Sequence, residues 1–375
     1  MRPAVVFGLL HAGLAVARAL GRAGVPVHGV ALDEREFGLR SRYLRSQRVA
    51  ASDKDVLGVL RTQVERPVLF PERDENVAFV LRNWKAVHAL ADVPLPDDPD
   101  VVRRLRRKER LAAEGAAAGV PAPATVLATD EEAIRSAGLR PPLLVKPAEG
   151  QEFALAFGEK AVVATDVDAA VVAWRRAHEH GFETIVQELI PDSYESVYSL
   201  LTYIGRSGDP LASVTGRKVR QGPLRFGTSA VFEARREPEV EEHGQRLLRH
   251  VGYKGFAHVE LVRDPRDRTL KLVEVNTRLP IWAGIAMGRD FNLARIAYDD
   301  LGGRPVAANG SPPDGVSWVY MAKDVWVSAQ MARRRELGAR EFLSHYVRRK
   351  KVRAVFAADD PLPALASVAY LRSRV

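Results

Sequence analysis

The sequence of 375 residues contains no cysteine. This absence excludes disulfide bonds, thiolate metal sites and a cysteine nucleophile within the chain, and it suits a cytoplasmic protein. Long apolar runs are also scarce, because Gly8, Gly13 and Arg18 interrupt the mostly apolar stretch from Arg2 to Leu20. No other stretch approaches the roughly 20 apolar residues of a membrane span. We therefore expect no membrane partner, and we interpret the N-terminal run as a strand entering a helix rather than as a signal peptide.

Acidic residues are fewer than basic ones, 47 against 56, which gives the chain a formal net charge of +9. Basic residues cluster at 103–110 and 348–353, and a nucleic-acid-binding protein would use such clusters to contact phosphates. Both signs of charge are abundant, however, so we interpret the clusters as solvated helix faces and expect no nucleic-acid partner. Polyanionic small substrates also favour a basic protein.

The length and the pattern of apolar residues indicate an α/β protein with more than one packed unit. Residues 4–7, 25–30 and 68–70 are typical of short buried strands in a small α/β domain. Gly8 and Gly13 follow the first strand, but the G-x-G-x-x-G spacing of a dinucleotide site is absent. The remaining predicted elements are a helix at 11–20, a break rich in proline and aspartate at 94–99, a single helix over 99–118, strands at 143–145, 161–164 and 184–186, helices at 129–137, 167–180 and 237–250, and a hairpin that pairs 256–262 with 270–276.

The second strand of this hairpin ends in the sequence E-V-N-T-R at 274–278. Side chains alternate between the two faces of a strand. We therefore expect Glu274, Asn276 and Arg278 to point to one side, while Val273 and Val275 point into a core.

Glu260 lies fourteen residues earlier, on the first strand of the hairpin, where pairing can bring it beside Glu274. Two carboxylates and an amide oxygen from Asn276 form a hard-oxygen site suited to Mg²⁺, with phosphate oxygens in the remaining positions. Arg278 could then stabilise charge on a transferred phosphoryl group. The alternative is an exposed hairpin in which glutamate and arginine pair across the strands.

Lys146 ends the apolar strand at 142–145, where it is positioned to meet a phosphate as a point charge. The following segment, 149–160, contains two glycines. It could cover phosphates, although it is poor in glycine for that purpose, and a plain β-hairpin turn is an equal alternative.

The segment V-Q-E-L-I-P at 186–191 follows another strand. Backbone groups in such a linker can pair with the edge of an adenine ring, and Glu195 is then placed to bind ribose hydroxyls. The alternative is an ordinary domain hinge.

Further segments are Lys108 on a helix before G-V-P-A-P, Y-K-G-F-A-H-V-E, G-L-R-S-R-Y near Ser41, G-R-K-V-R-Q around Lys218 and D-P-L-P near Pro361. Taken in order with L-L-V-K-P at Lys146, V-Q-E-L-I-P and V-E-V-N-T-R, these segments resemble the ATP-grasp superfamily over nearly the whole chain. The resemblance is closest to carboxylate–amine ligases of the D-aspartate ligase type and to related predicted carboligases. It implies an ATP-grasp fold preceded by a Rossmann-like domain. The expected units are 1–95, the pre-ATP-grasp domain; 96–190, the N-terminal ATP-grasp subdomain; 191–305, the C-terminal subdomain with the Mg-ATP site; and 306–375, an extension packed on the body.

The resemblance also implies roles for individual residues. Seven residues are expected to bind ATP. Lys108 and Lys146 would contact the phosphates or the adenine edge, and Glu195 would contact the ribose. The residues expected at the adenine are Gln187, Glu188, Leu189 and Ile190. At the reacting centre, Glu260, Glu274 and Asn276 would hold two Mg²⁺ ions, which Mn²⁺ can replace. Arg278 would steady an acyl-phosphate. Lys218 and Arg220 would lie near the phosphates or the substrate carboxylate.

Three features depart from the family pattern. Arg107 stands where an aspartate is common, Thr277 replaces the proline of N-P-R, and the phosphate loop lacks a run of glycines. The activity implied is ligation of a small-molecule carboxylate to an amine through an acyl-phosphate, with release of ADP, in a cytoplasmic enzyme that can form a homodimer. The alternatives are another acceptor, through carboxylation or phosphoryl transfer, and a non-catalytic nucleotide-binding module.

Overall fold

Three β-sheets organise the residues that the computed structural model describes, which are 1–149, 152–191, 196–224, 227–306, 312–347 and 350–372. The first sheet is parallel, with strand order β3–β2–β1–β4. Its elements follow one another as β1 (Ala4–Phe7), α1 (His11–Arg22), β2 (Val27–Ala31), β3 (Leu44–Val49), α2 (Asp53–Arg61), β4 (Val68–Pro71), α3 (Asp74–Arg82) and α4 (Trp84–Leu90).

The turn between β1 and α1 is closely packed. Gly8 has a φ of 92°, a backbone conformation that favours glycine. A Cβ atom at Gly13 would lie 1.9 Å from the carbonyl oxygen of Gly8. The Glu72 carboxylate accepts hydrogen bonds from the backbone N–H groups of Leu10 (2.8 Å) and Ala12 (2.9 Å). Burial raises the pKa of Glu72 to about 7. The two glycines therefore serve a packed turn, and no dinucleotide site is needed to explain them.

We predict that Gly13→Ala will destabilise the protein, because the added methyl group would overlap the backbone of Gly8. Overpacking of this kind typically costs about 1–3 kcal/mol. Gly58→Ala in α2 is the matched control, since no atom lies within 4 Å of a Cβ built there, and alanine is favoured over glycine in a helix by about 1 kcal/mol. Thermal unfolding of both variants checks this. Equal melting temperatures would contradict it.

The predicted single helix over 99–118 is wrong, because the structure contains two helices: α5 (Pro99–Arg106) and α6 (Lys108–Ala117). Arg107 between them has extended backbone angles. The guanidinium of Arg107 pairs with Glu109 and, at 2.9 Å, with Glu183. The backbone N–H of Lys108 donates to the carbonyl oxygen of Ala148 (3.2 Å). The break therefore ties the start of α6 to the second sheet.

The second sheet is antiparallel, with strand order β5–β8–β6–β7. The segment 149–160 contains a helix where a β-hairpin turn was the alternative, and residues 150–151 lie outside the described residues. The elements are β5 (Thr125–Leu127), α7 (Glu131–Ser136), β6 (Leu143–Pro147), α8 (Glu152–Phe157), β7 (Val162–Ala164), α9 (Val167–Glu179) and β8 (Thr184–Glu188).

The third sheet has the strand order β13–β12–β9–β10–β11–β14–β15 and is antiparallel except for its last pair. Helices α5 and α6 pack on it through Val101, Leu105 and Leu111, so residues 99–117 share a core with this sheet rather than with the second one. The elements are β9 (Val197–Ile204), β10 (Pro210–Gly222), β11 (Thr228–Ala234), α10 (Pro238–His250), β12 (Gly255–Arg263), β13 (Leu270–Asn276), α11 (Leu293–Leu301), β14 (Val316–Val319), α12 (Met321–Arg333), α13 (Ala339–Val347), β15 (Lys351–Arg353) and α14 (Leu362–Arg372).

Residues of the predicted C-terminal extension contact both the third sheet and the N-terminal α/β unit. Strand β14 pairs with β11 inside the third sheet. Arg18 of α1 forms a buried ion pair with Asp360 (2.9 Å), and the Ser41 hydroxyl donates to the same carboxylate (2.7 Å). Among the described residues, the helices are all too short or too polar to cross a membrane.

Candidate active site

The β12–β13 hairpin places two carboxylates side by side. Glu260 pairs directly with Glu274, and His258 with Asn276. The next pair is Leu261 with Leu272, which leaves Val273 as the extra residue of a β-bulge. The expected juxtaposition of Glu260 and Glu274 is therefore present in the strand register.

The predicted strict alternation along β13 is wrong at Val273. Because of the bulge, Leu272 and Val275 both belong to the core beneath the sheet. Val273 packs on the other face, against the cluster that contains Ile190 and Val262. The bulge thus shifts the pairing register by one residue and sets Glu274 level with Glu260.

Glu260 is held by a cation from β10. Lys218 Nζ lies 2.9 Å from Glu260 Oε1, and both side chains are about nine-tenths buried. His258 Nε2 lies 3.5 Å from the same oxygen. Burial, followed by the charges of Lys218 and Arg278, lowers the pKa of His258 to about 3, so the imidazole is neutral. Lys218, which was expected near the phosphates or the substrate, is therefore beside the predicted metal ligand Glu260.

Arg278 joins the hairpin to the N-terminal sheet. Its Nη2 donates to Asp74 Oδ2 (2.6 Å) and to Asn276 Oδ1 (3.3 Å). Asp74, in the first turn of α3, also lies 3.5 Å from Arg106 Nη1, and Arg106 Nε donates to Glu149 (3.0 Å). Arg106 belongs to the basic cluster that was interpreted as a solvated helix face, and that interpretation is wrong for this residue, whose side chain is only 13% exposed.

Lys108 and Lys146 lie on two other elements, α6 and β6, and the charge of Glu274 acts on both. Lys146 Nζ, on β6, donates to Gln187 Oε1 (2.8 Å). Burial lowers the pKa of Lys146 to about 7, and the positive charge of Lys108 contributes to this lowering. The negative charge of Glu274 opposes both effects. Burial also lowers the pKa of Lys108, and Glu274 is the first charge to oppose it. The two lysines and Glu274 therefore act on one another electrostatically.

The predicted adenine-binding segment has its side chains engaged within the protein. The Glu188 carboxylate accepts from the backbone N–H (2.9 Å) and from Nε (3.2 Å) of Arg140. Burial would raise the pKa of Glu188, but the bonds from Arg140 outweigh it and lower the pKa. The N–H groups of Glu188 and Leu189 donate to Ala124 and Pro142 carbonyls (both 2.9 Å). Any contact with a base must therefore come from other backbone groups, and Glu195 lies outside the described residues.

The structure does not bring the Arg220 guanidinium to these carboxylates. Arg220 forms a two-point ion pair with Asp324 of α12 (2.6 and 2.9 Å), and both side chains are fully buried. The reason is a bulge in β10: Lys218 pairs with Phe232 and Arg220 with Val231. Adjacent residues of β11 face opposite sides of the sheet, so Lys218 and Arg220 do too.

Sequence reasoning missed Arg106, His258 and Asp324 as parts of this region. The break at Arg107 turns Arg106 inward, and no apolar periodicity marks it. Asp324 lies more than one hundred residues from its partner. Among the described residues, no group of three or more histidine, aspartate or glutamate side chains could hold a metal by itself, so the Glu260–Glu274–Asn276 set fits a hard cation only when a phosphate supplies further oxygens.

Known proteins resemble this chain in sequence and in fold. No family model matches. D-aspartate ligase of Enterococcus faecium (strain Aus0004) is 25% identical over 166 residues, which is 42% of this chain and only 39% of that ligase. The biotin carboxylase domain of Hydrogenobacter thermophilus 2-oxoglutarate carboxylase, a dimer in complex with MgADP and bicarbonate, superposes with a TM-score of 0.66 and 15% identity over 84% of this chain and 73% of that one. L-amino acid ligase of Bacillus licheniformis superposes with a TM-score of 0.59 and 15% identity, over 80% of this chain and 74% of that one.

The chain therefore has the ATP-grasp fold, and an α/β unit precedes it in the sequence. The predicted fold class and the predicted resemblance to the ATP-grasp superfamily are confirmed. The likeness to D-aspartate ligase covers less than half of either protein.

We predict that nucleotide affinity of the free protein will fall as the pH rises through about 7, where Lys146 loses its proton. A neutral lysine cannot attract a phosphate, and binding above this pH must take up a proton. Lys146→Arg should bind nucleotide with a flatter pH profile, because arginine stays charged.

Calorimetric titration with ADP, in two buffers of different ionisation enthalpy, measures both the affinity and the proton uptake. Wild-type and Lys146→Arg proteins with the same pH profile would contradict the prediction, because titration of ADP itself affects both equally.

Proposed function

We propose that this protein is an ATP-dependent carboxylate–amine ligase that forms an amide or peptide bond and releases ADP and phosphate. The observation that carries the proposal is the pairing of Glu260 with Glu274 at one level of the β12–β13 hairpin, with cations facing them from three other elements. Small-molecule acids and amines are the proposed substrates, and a homodimer is the proposed assembly.

Each residue has a proposed role that follows from its place. Glu260, Glu274 and Asn276 would hold Mg²⁺, which when bound neutralises phosphate oxygens. Lys108 and Lys146 would bind the phosphates, and Gln187 would keep Lys146 oriented through the 2.8 Å hydrogen bond. The adenine would lie against the backbone of Ile190. Its ribose would be bound by Glu195.

Arg278 is proposed to steady the reacting carboxylate. Its guanidinium is fixed by Asp74 at 2.6 Å, so it needs little reorganisation when charge develops nearby. Lys218, which contacts Glu260, would bind the phosphates or the carboxylate of the approaching acid. Arg220 remains a predicted site residue, and its buried pair with Asp324 supports a role in positioning β10 and Lys218 rather than direct contact with substrate.

The proposed chemistry has two steps. An oxygen of the substrate carboxylate attacks the γ-phosphorus, the bond to the bridging oxygen breaks, and ADP leaves. The amine nitrogen then attacks the acyl carbon of the acyl-phosphate, inorganic phosphate leaves, and the nitrogen loses a proton. No protein nucleophile takes part, which agrees with a chain that contains no cysteine. Rate enhancement then depends on positioning and electrostatics.

The closest alternative is carboxylation through carboxyphosphate. The structural match to a biotin carboxylase domain in complex with bicarbonate is the observation that favours it. ADP release that requires bicarbonate and no organic acid would favour this alternative.

The experiment is a screen for ADP and phosphate release with Mg²⁺, over amino acids and small acids tested pairwise with amines.

We predict that Glu274→Gln and Glu260→Gln will each lower the rate at least about 100-fold, because each removes a charge that acts on the transition state. Glu242→Gln is the matched control, since that carboxylate is exposed on α10 and pairs only with Arg246 within the described residues.

Three outcomes would refute the ligase. They are release of AMP, ADP formation that is independent of any carboxylate, and equal activity of Glu274→Gln and the control.

A further inference from the structure

His258 lies between two of the proposed metal ligands, on one face of the third sheet. On β12 it precedes Glu260 by two residues, and side chains two apart on a strand share a face. The strand register pairs His258 with Asn276 of β13. On the other side of β12, it pairs Glu260 with Ser199 of β9. Because directly opposite residues also share a face, the ring of His258 is surrounded by polar side chains from three neighbouring strands.

Both ring nitrogens of His258 have polar partners. Nδ1 lies 3.4 Å from Asn276 Nδ2. Nε2 lies 3.2 Å from the hydroxyl oxygen of Ser199 and 3.5 Å from Glu260 Oε1. The NH₂ group of an amide only donates hydrogen bonds, so Nδ1 must accept, and the ring proton is on Nε2. The neighbours of His258 therefore fix its tautomer.

The orientation of the Asn276 amide follows from the same contacts. Arg278 Nη2 lies 3.3 Å from the other end of this amide, and a guanidinium has donors only. The atom that faces Arg278 must therefore be Oδ1, and the atom that faces His258 must be Nδ2. A carbonyl oxygen has two lone pairs, so Oδ1 can accept from Arg278 and still bind a cation. A flipped amide would present NH₂ instead, which is not a ligand for a hard cation.

The imidazole of His258 is itself held in place by packing. Only 4% of His258 is exposed, and Ser199 is fully buried. The indole of Trp282 packs against the imidazole edge to face, with ring centroids 5.4 Å apart and an interplanar angle of 83°. Trp282 stacks in turn on Phe232 of β11, at 3.7 Å. The ring therefore has little freedom to rotate, and a ligand is oriented most firmly by a partner whose own rotamer is locked.

We propose that His258 is a positioning residue of the metal site, in which Nδ1 anchors Nδ2 of Asn276 and thereby presents Oδ1 to Mg²⁺. Ser199 contributes by accepting the hydrogen bond from Nε2, which keeps Nδ1 an acceptor. The inference rests on the Mg-ATP site of the proposed function and deepens it. It adds a residue outside the E-x-N-x-R motif to the set that determines how tightly the metal is bound.

The test compares two amide substitutions at the same position. In His258→Asn the side-chain amide reaches the position of Nδ1 and can still accept from Asn276. In His258→Gln the amide reaches the position of Nε2, so the contact with Ser199 is kept and the one with Asn276 is lost. Calorimetric titration with ADP, in EDTA and over a series of Mg²⁺ concentrations, gives the affinity of the metal for the protein–ADP complex without any turnover. The Mg²⁺ that ADP binds in solution is subtracted.

We expect His258→Gln to weaken Mg²⁺ binding in the ADP complex by about tenfold to a hundredfold, the loss that removal of an outer-shell partner typically causes. His258→Asn should stay close to the wild type, because it keeps an acceptor for Asn276. ADP affinity in EDTA should be unchanged in both variants, whereas general damage to the site would lower it. Where an acid and amine pair supports ADP release, the Mg²⁺ requirement should rise for His258→Gln.

Asn276→Asp provides a second test, because the two oxygens of a carboxylate are equivalent and need no partner to orient them. In the Asn276→Asp background, His258→Gln should therefore cost much less Mg²⁺ affinity than it does in the wild type. The two changes would then be non-additive, as expected for residues that act through one contact.

Three results would overturn the proposal: unchanged Mg²⁺ affinity in His258→Gln, equal losses in His258→Gln and His258→Asn, or the same loss from His258→Gln in the Asn276→Asp background. Nitrogen chemical shifts of the His258 ring in the wild-type protein do not depend on the folding of any variant. They should show an unprotonated Nδ1, and a protonated Nδ1 would also overturn the proposal. Failure of the ligase function has a different signature, because it shows as absent ADP release for every acid and amine pair while the Mg²⁺ affinities still differ as expected.

Discussion

Two adjacent carboxylates, Glu260 and Glu274, set the constraint on which the rest of the site depends. Like charges directly opposite each other on paired strands repel and destabilise the sheet. The structure offsets this cost with cations from separate parts of the chain: Lys218 of β10 on Glu260, and Lys108 and Lys146 acting on Glu274. Each of these lysines reaches the site only if its own element is in place. The site therefore exists only when the sheets are assembled around it.

The two lysines that act on Glu274 are themselves removed from solvent. Burial lowers the pKa of Lys146 and of Lys108, and Glu274 is the charge that opposes this effect for each of them. Without an anion, such a pair is electrostatically unfavourable. A polyphosphate would relieve it, so the free protein holds unfavourable energy that binding of a nucleotide would release. Preorganised charges of this kind are what a phosphoryl-transfer site requires.

Much of this arrangement could be predicted from the sequence, and the exceptions have a common cause. The β12–β13 pairing, the Lys146 strand end and the α/β order follow from local patterns of apolar and charged residues. Strand bulges and helix breaks do not follow from such local patterns. The bulge at Val273 reverses the side to which that residue points, the bulge in β10 separates Arg220 from Lys218, and the break at Arg107 turns Arg106 inward. Each is a one-residue irregularity, and the charged partners of Arg106 and Arg220, which are Asp74 and Asp324, are distant in sequence.

Those irregularities also determine what the C-terminal extension can do. Because Arg220 faces away from Lys218, it is free to bind Asp324 and to hold α12 against β10. That contact fixes the first turn of α12, where Lys323 sits one residue before Asp324. A single bulge in β10 thus leaves Lys218 with Glu260 on one face of the strand and, through Arg220, holds α12 against the other face.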